Sequence, residues 1–157
     1  MDKDRTVHIE HAGINDTEEI YHLQKLVYLS EAEIYNDFSI PPLIQTFDEF
    51  LGEFRQQVYL KAEINGELVG SVRGFVKDGT CYVGRLIVNP KQQNQGIGTL
   101  LIRAIEEHFK GTLRFEIFTG IQSERNLYLY QKMGYRIFDT RRLTERVELH
   151  FLEKECS

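Results

Sequence analysis

Apolar residues along the chain change their spacing several times, and each change marks an element. Residues 6 to 10 alternate and predict a first strand. Asp16-Thr17-Glu18-Glu19 has the spacing of a capping box, opening a helix whose buried stripe is expected at Ile20, Leu23, Val27 and Ile34. Tyr21, Tyr28 and Tyr35 would share one face of that helix, either packed in the core or walling a substrate site. Pro41-Pro42 must break it, because adjacent prolines remove donors and force extended geometry before each ring. A second capping box at Thr46-Phe47-Asp48-Glu49 starts a short helix that buries Phe47, Phe50, Leu51 and Phe54.

Three strand-like runs follow, over residues 58–64, 68–76 and 81–88, separated by Asn65-Gly66 and Asp78-Gly79. Both pairs accept the positive φ of two-residue hairpin turns, so an antiparallel meander is expected. After a Gly-bearing loop comes an amphipathic helix with Leu101, Ala104, Ile105, His108 and Phe109 on one side, ended by Gly111. Leu113 to Phe118 reads as a strand reached through a strand, loop and helix, and is therefore expected parallel to the strand before the loop. A helix over residues 123–133 and strands over 135–139 and 146–152 complete the chain, with no repeat or linker to divide it. One domain over residues 1–157 is the expectation.

Composition narrows the class. A hydrophobic fraction of 41% and a charged fraction of 27% suit a globular protein. Cys81 and Cys156 are the only cysteines, which points to a reducing compartment, and no apolar run approaches the roughly 18 residues that cross a membrane. A cytoplasmic protein without a membrane partner is expected. The formal net charge of −5 argues against a nucleic-acid partner, and none of the five histidines has metal-site spacing, so no metal is expected. Arg73 and Arg85 fall inside strands, where they either face solvent or line a polar channel. Cys81 has no histidine partner in a nucleophile pattern and reads as a small strand residue.

The stretch from Tyr82 to Lys110 carries the chemistry. Strand, Gly-bearing turn and helix start together form an anion site, since glycines let successive N–H groups turn toward one point and the first helical turn has unpaired donors. The loop lacks the Gly-Lys-Ser/Thr ending of a P-loop and the first glycine of the dinucleotide pattern. It reads Gln-x-x-Gly-x-Gly, with Gln93, Gly96 and Gly98 fixed and Asn94, Gln95, Ile97 and Thr99 among them. With Leu86-Ile87-Val88-Asn89-Pro90 before it and Leu100-Leu101 after, it resembles the coenzyme A pyrophosphate loop of the GNAT superfamily of N-acetyltransferases. Asn126-Leu-Tyr-Leu-Tyr130-Gln-Lys-Met-Gly134-Tyr135 resembles the later motif of that superfamily, and the order of elements matches nearly throughout.

The resemblance implies a mixed α/β fold of about seven largely antiparallel strands and about four helices. It implies acetyl-coenzyme A as co-substrate, main-chain contacts from Leu86 and Val88, pantetheine support from Asn126, and Tyr130 as the acid that protonates the leaving thiolate. Relatives often carry a Glu early on the strand before the loop, where this chain has Tyr82. The base is therefore open among Glu31, Glu33, Glu116 and a water relay. The implied acceptor is a primary amine on a small molecule; Glu31, Glu33, Tyr35 and Asp37 are the candidate contacts, and their charge suggests a cationic amine. A non-catalytic coenzyme A module and a peptide or protein N-acetyltransferase stand as alternatives. An edge strand near the C-terminus could pair with a second copy as a homodimer.

Overall fold

In the computed structural model, which describes residues 6–156, the meander and the crossover combine into one seven-stranded sheet. Its strands are β1 (Val7–His11), β2 (Val58–Ile64), β3 (Glu67–Lys77), β4 (Thr80–Val88), β5 (Arg114–Gly120), β6 (Arg136–Arg142) and β7 (Glu148–Glu155), in the order β1-β2-β3-β4-β5-β7-β6. The helices are α1 (Thr17–Tyr35), α2 (Pro41–Ile44), α3 (Phe47–Phe54), α4 (Ile97–His108) and α5 (Glu124–Lys132). Only β4 and β5 pair in parallel, as the crossover through α4 requires. Asn65 and Gly66 (φ 51° and 80°) and Asp78 and Gly79 (φ 52° and 80°) make the two hairpin turns.

Several local expectations are corrected. Asp16 does not cap α1. Its Oδ2 accepts the Gly13 N–H at 2.7 Å, which closes a 3-10 turn over Ile14–Asp16, while Oδ1 accepts from Lys61 Nζ at 2.9 Å. The extra turn ahead of the helix takes up the carboxylate. The box at Thr46 forms as expected: Thr46 Oγ1 accepts the Glu49 N–H at 3.2 Å, and Glu49 Oε1 accepts the Thr46 N–H at 2.9 Å. Pro41 and Pro42 do more than break α1. They open α2, because fixed φ and a missing N–H are harmless in a first helical turn. Ile34 is 50% exposed, and Ala32 and Tyr35 are buried instead, because that end of α1 packs on Ile40, Val147 and Leu149.

Both faces of the sheet are covered. Ile97, Leu101, Ile102 and Ile105 of α4 bury against Leu60, Val72, Val83 and Phe115, and α5 adds Tyr130. On the other face α1 and α3 set Ile20, Leu23 and Phe50 against Tyr59 and Ile87. No helix among the described residues is long and apolar enough to cross a membrane.

Candidate active site

The central irregularity of the sheet is the parallel pair. β4 and β5 are in register only at Thr80 with Arg114, Cys81 with Phe115 and Tyr82 with Glu116; beyond Tyr82 they part. On its other side β4 stays paired to β3, and the Asn89 N–H donates to Val69 O at 2.8 Å. Because N–H directions alternate along a strand, the amide of Val88 turns away from β3 into the opening. Leu86, at the bulge two residues earlier, lines the cavity that the opening borders.

At the mouth of the gap the chain turns through Pro90–Gln92, Asn94 (φ 65°) and Gly96 (φ 81°) into α4. The first intrahelical bond runs from the Leu100 N–H to Gly96 O at 3.1 Å, so the amides of Ile97, Gly98 and Thr99 have no partner within the helix. Gly96 offers no capping side chain, and the first turn carries no acidic residue. The positive end of the helix is thus open to an anion. Gln93 Nε2 donates to Val88 O at 3.4 Å, tying the loop back to β4. Gln92 Oε1 is buried without a partner, the one such side-chain atom among the described residues, and leaves an acceptor for a donor group.

Gly98 needs its missing side chain for a different reason from Gly96. Its φ is not positive, and a Cβ there would stand 3.0 Å from Leu129 Cδ2 and 3.7 Å from Leu86 Cδ2. It lets the start of α4 approach α5 and β4 closely. Gly96 is the position that requires left-handed backbone.

The gap leads into a cavity of about 170 Å³ lined from both faces of the sheet. Tyr28, Glu31 and Tyr35, at i, i+3 and i+7 on α1, form one wall. Asn126 and Tyr130 of α5, Thr119 and Gly120 of β5, and Leu86 of β4 form the other. Glu31 Oε2 accepts from Ser123 Oγ at 2.7 Å, and the Gln122 N–H donates to Tyr35 Oη at 2.9 Å, so α1 is fastened to the turn before α5. Asn126 Nδ2 reaches Thr119 Oγ1 at 3.4 Å. Tyr130 is buried, with its hydroxyl free of hydrogen bonds among the described residues. Burial first, then Tyr28 and Glu31, push its phenol well above the ordinary range, so it stays protonated.

Other candidates separate clearly. Glu33 is exposed and outside the cavity. Asp37 lies on a neighbouring groove, bonded to Ser39 and to Thr144 of the loop between β6 and β7. Glu116 is held by Arg114 at 2.9 Å, away from the cavity. Tyr82 stacks on Phe75 with ring centroids 5.2 Å apart. Among the carboxylates considered as a base, Glu31 alone faces the cavity. Arg73 and Arg85 line it too, with Pro41 and Pro42 of α2. No periodicity marks either proline as a cavity residue; the strand-interior arginines were the only legible signal at this end. Cys81 is fully buried and its thiol is pushed up to about 12, chiefly by burial. Among the described residues no three His, Cys, Asp or Glu side chains gather as metal ligands.

A model of the acetyltransferase (GNAT) family matches residues 17–135 of the chain. Over 80 residues the chain is 34% identical to a zebrafish (Danio rerio) protein named probable N-acetyltransferase 14, a match covering 48% of this chain and 29% of that protein. The chain thus spans less than a third of that relative's length. Its fold superimposes on the ribosomal-protein-S18-alanine N-acetyltransferase of Escherichia coli with a TM-score of 0.80 at 16% identity, covering 97% of this chain and 95% of the other. It superimposes on the PaiA N-acetyltransferase of Thermoplasma acidophilum, solved in complex with coenzyme A, with a TM-score of 0.78 at 18% identity, covering 96% and 99%.

Proposed function

The chain belongs to the GNAT acetyltransferase family, and from that premise we propose that it transfers an acetyl group from acetyl-coenzyme A to a small primary amine by direct attack within a ternary complex. The observation that carries this reading is the nearness of three features: an uncapped α4 terminus at Gly96, a start of α4 that packs at Gly98 against Leu86 and Leu129, and a cavity that Leu86 lines together with Tyr130 where β4 has parted from β5. Acetyl-coenzyme A would supply an acyl group activated as a thioester. The amides of Ile97, Gly98 and Thr99, with Gln93 to Gln95 beside them, are suited to its pyrophosphate. Leu86 and Val88 offer main-chain groups to the arm that follows, and Asn126 faces the same passage.

The chain's own proton chemistry uses two groups. Tyr130, whose phenol is pushed up by burial, is the proposed donor of a proton to the departing sulfur. An aliphatic ammonium with pKa near ~10 is about one part in a thousand neutral at pH 7, a cost of roughly 4 kcal/mol that an acceptor for its proton reduces. Glu31, which lines the cavity, is the proposed acceptor of that proton, directly or through a water. Tyr35 lines the cavity proposed for the acceptor; Glu33 and Asp37 lie outside it.

One observation favours a non-catalytic coenzyme A module: Tyr82 stands where relatives often carry a carboxylate. Glu31 offers a carboxylate from another element. Calorimetry with coenzyme A, combined with free-thiol release from acetyl-coenzyme A over a panel of amines, separates the readings. Binding with amine-dependent release supports the enzyme, binding without release supports the module, and neither refutes both.

A further inference from the structure

The acceptor end of the cavity contains a cation with no ion pair of its own among the described residues. Arg73 and Arg85 both line it, yet only Arg73 has a carboxylate: its Nη1 lies 2.5 Å from Glu53 Oε2 and 2.9 Å from Tyr59 Oη. Arg85 makes one hydrogen bond among the described residues, a long one of 3.4 Å to Gln45 Oε1, and no ion pair. That oxygen is shared with Gln24 Nε2 at 3.0 Å, and Gln45 Nε2 is itself bonded to Glu53. Moving Gln45 closer to Arg85 would therefore disturb two other bonds. A half-buried guanidinium left this way is costly to the fold, and burial together with Arg73 weakens its hold on its own proton.

Arg85 sits in a β-bulge. Gly84 pairs with Arg73 and Ile87 with Ser71, so Arg85 and Leu86 together oppose the single residue Val72. Arg85 takes φ 45° at this bulge, an uncommon conformation for a non-glycine residue. Strain combined with an unpaired charge facing a cavity is the pattern of a ligand contact.

The cavity carries both signs: Glu31 of α1 and Arg85 of β4 both line it. A molecule held by both has its amine at Glu31 and an anion at Arg85. A second ammonium, as in a polyamine, would meet Arg85 and be repelled.

We propose that the acceptor is an amine that also bears a carboxylate, an amino acid or a close derivative, and that Arg85 binds this carboxylate and sets the specificity; the inference rests on the acetyltransferase reading above. The fork of a guanidinium matches a carboxylate in two hydrogen bonds, which a carboxamide or a bare amine cannot accept equally.

The test uses α- and ω-amino acids, their carboxamides and their decarboxylated amines, assayed by thiol release and by calorimetry on the protein saturated with coenzyme A. Acids should bind and react best, with kcat/KM at least about 10-fold above the matched amide. In Arg85→Gln the KM for the acid should rise on the order of 10²-fold and the acid-to-amide preference vanish, while the coenzyme A Kd stays unchanged. The wild-type ratio decides the matter even if that variant fails to fold. Equal or better use of amides and amines, or no acid binding while coenzyme A binds normally, overturns the Arg85 assignment and leaves the acetyltransferase reading intact. Failure to bind coenzyme A overturns both.

Discussion

Replacing Gly96 by valine tests the anion loop most directly, and its effect can be worked from the backbone. Gly96 stands at φ 81°, ψ 5°, and a Cβ built there would meet nothing within 4 Å. Space is therefore not the obstacle; conformation is. A left-handed residue with a Cβ costs about 1–2 kcal/mol, and a β-branched one more. The loop can bear that strain or escape it by rotating Gly96 to negative φ, which swings the Ile97, Gly98 and Thr99 amides apart. Charge-assisted hydrogen bonds are worth about 1.5–3 kcal/mol each, so losing two weakens binding by roughly 3–6 kcal/mol, or about 10²- to 10⁴-fold in Kd. Calorimetric titration with coenzyme A measures this, and dephospho-coenzyme A should lose as much because it keeps the pyrophosphate. Gly98→Ala is the control. Its new methyl presses on the tip of Leu129, which can shift, and Ala gains about 0.5–1 kcal/mol over Gly inside α4, so stability changes by less than about 1 kcal/mol and Kd by less than about 10-fold. A folded Gly96→Val protein that binds coenzyme A with unchanged Kd refutes the loop assignment.

Three further outcomes are expected. Tyr130→Phe should lower kcat by about 10²- to 10⁴-fold with little change in KM for acetyl-coenzyme A, seen in steady-state kinetics with acetyl transfer shown to be rate-limiting; an unchanged kcat would leave Tyr130 a packing residue. Iodoacetamide at pH 8 should label the exposed Cys156 of the folded protein and spare Cys81, whose thiol is pushed up to about 12, and peptide mass analysis reports which is modified. Asp37 is held down at about 2 from an ordinary 3.8, first by the Ser39 hydroxyl, then by Thr144 and the Ser39 amide. Since the folded value lies below the unfolded one, its contribution is complete above 3.8 and fades as pH falls through about 2. The difference in urea midpoint between wild type and Asp37→Asn should shrink over that window, and a constant difference would show that the bonds to Ser39 and Thr144 do not matter.

The loop and helix start proposed for coenzyme binding are legible as local structure because they sit in consecutive residues. The strand up to Val88, the turn, Gly96 and the start of α4 adjoin in sequence as in space, and the hairpin turns at Asn65-Gly66 and Asp78-Gly79 fix the meander that presents β4. The capping box at Thr46 was legible for the same reason, since Thr46 and Glu49 act on each other's amides alone. At Asp16 the same local pattern misled. A glycine three residues earlier and Lys61 from a distant strand compete for the carboxylate, and both outweigh the cap.

The acceptor side is drawn from segments far apart in the chain: the end of α1, the prolines of α2, the bulge of β4 and the loop before β7. A bulge has no signature in a run such as Gly84-Arg85-Leu86, so the sequence leaves Arg85 between a solvent-facing position and a polar channel, and the bulge is what the structure adds. The acidic residues following Tyr28 teach the complementary lesson. Glu31 and Glu33 lie about 200° apart on a helix, so a single wall cannot use both. Asp37 follows the left-handed residue Asn36 that ends the helix, and its oxygens are taken by Ser39 and Thr144. One carboxylate of three reaches the cavity, where it meets two arginines, only one of them neutralised. Acidic residues interleaved with tyrosines along this segment suggest a cationic acceptor; the charge lining the cavity depends on which side chains the helix turns inward, and Glu31 with Arg85 gives that lining both signs.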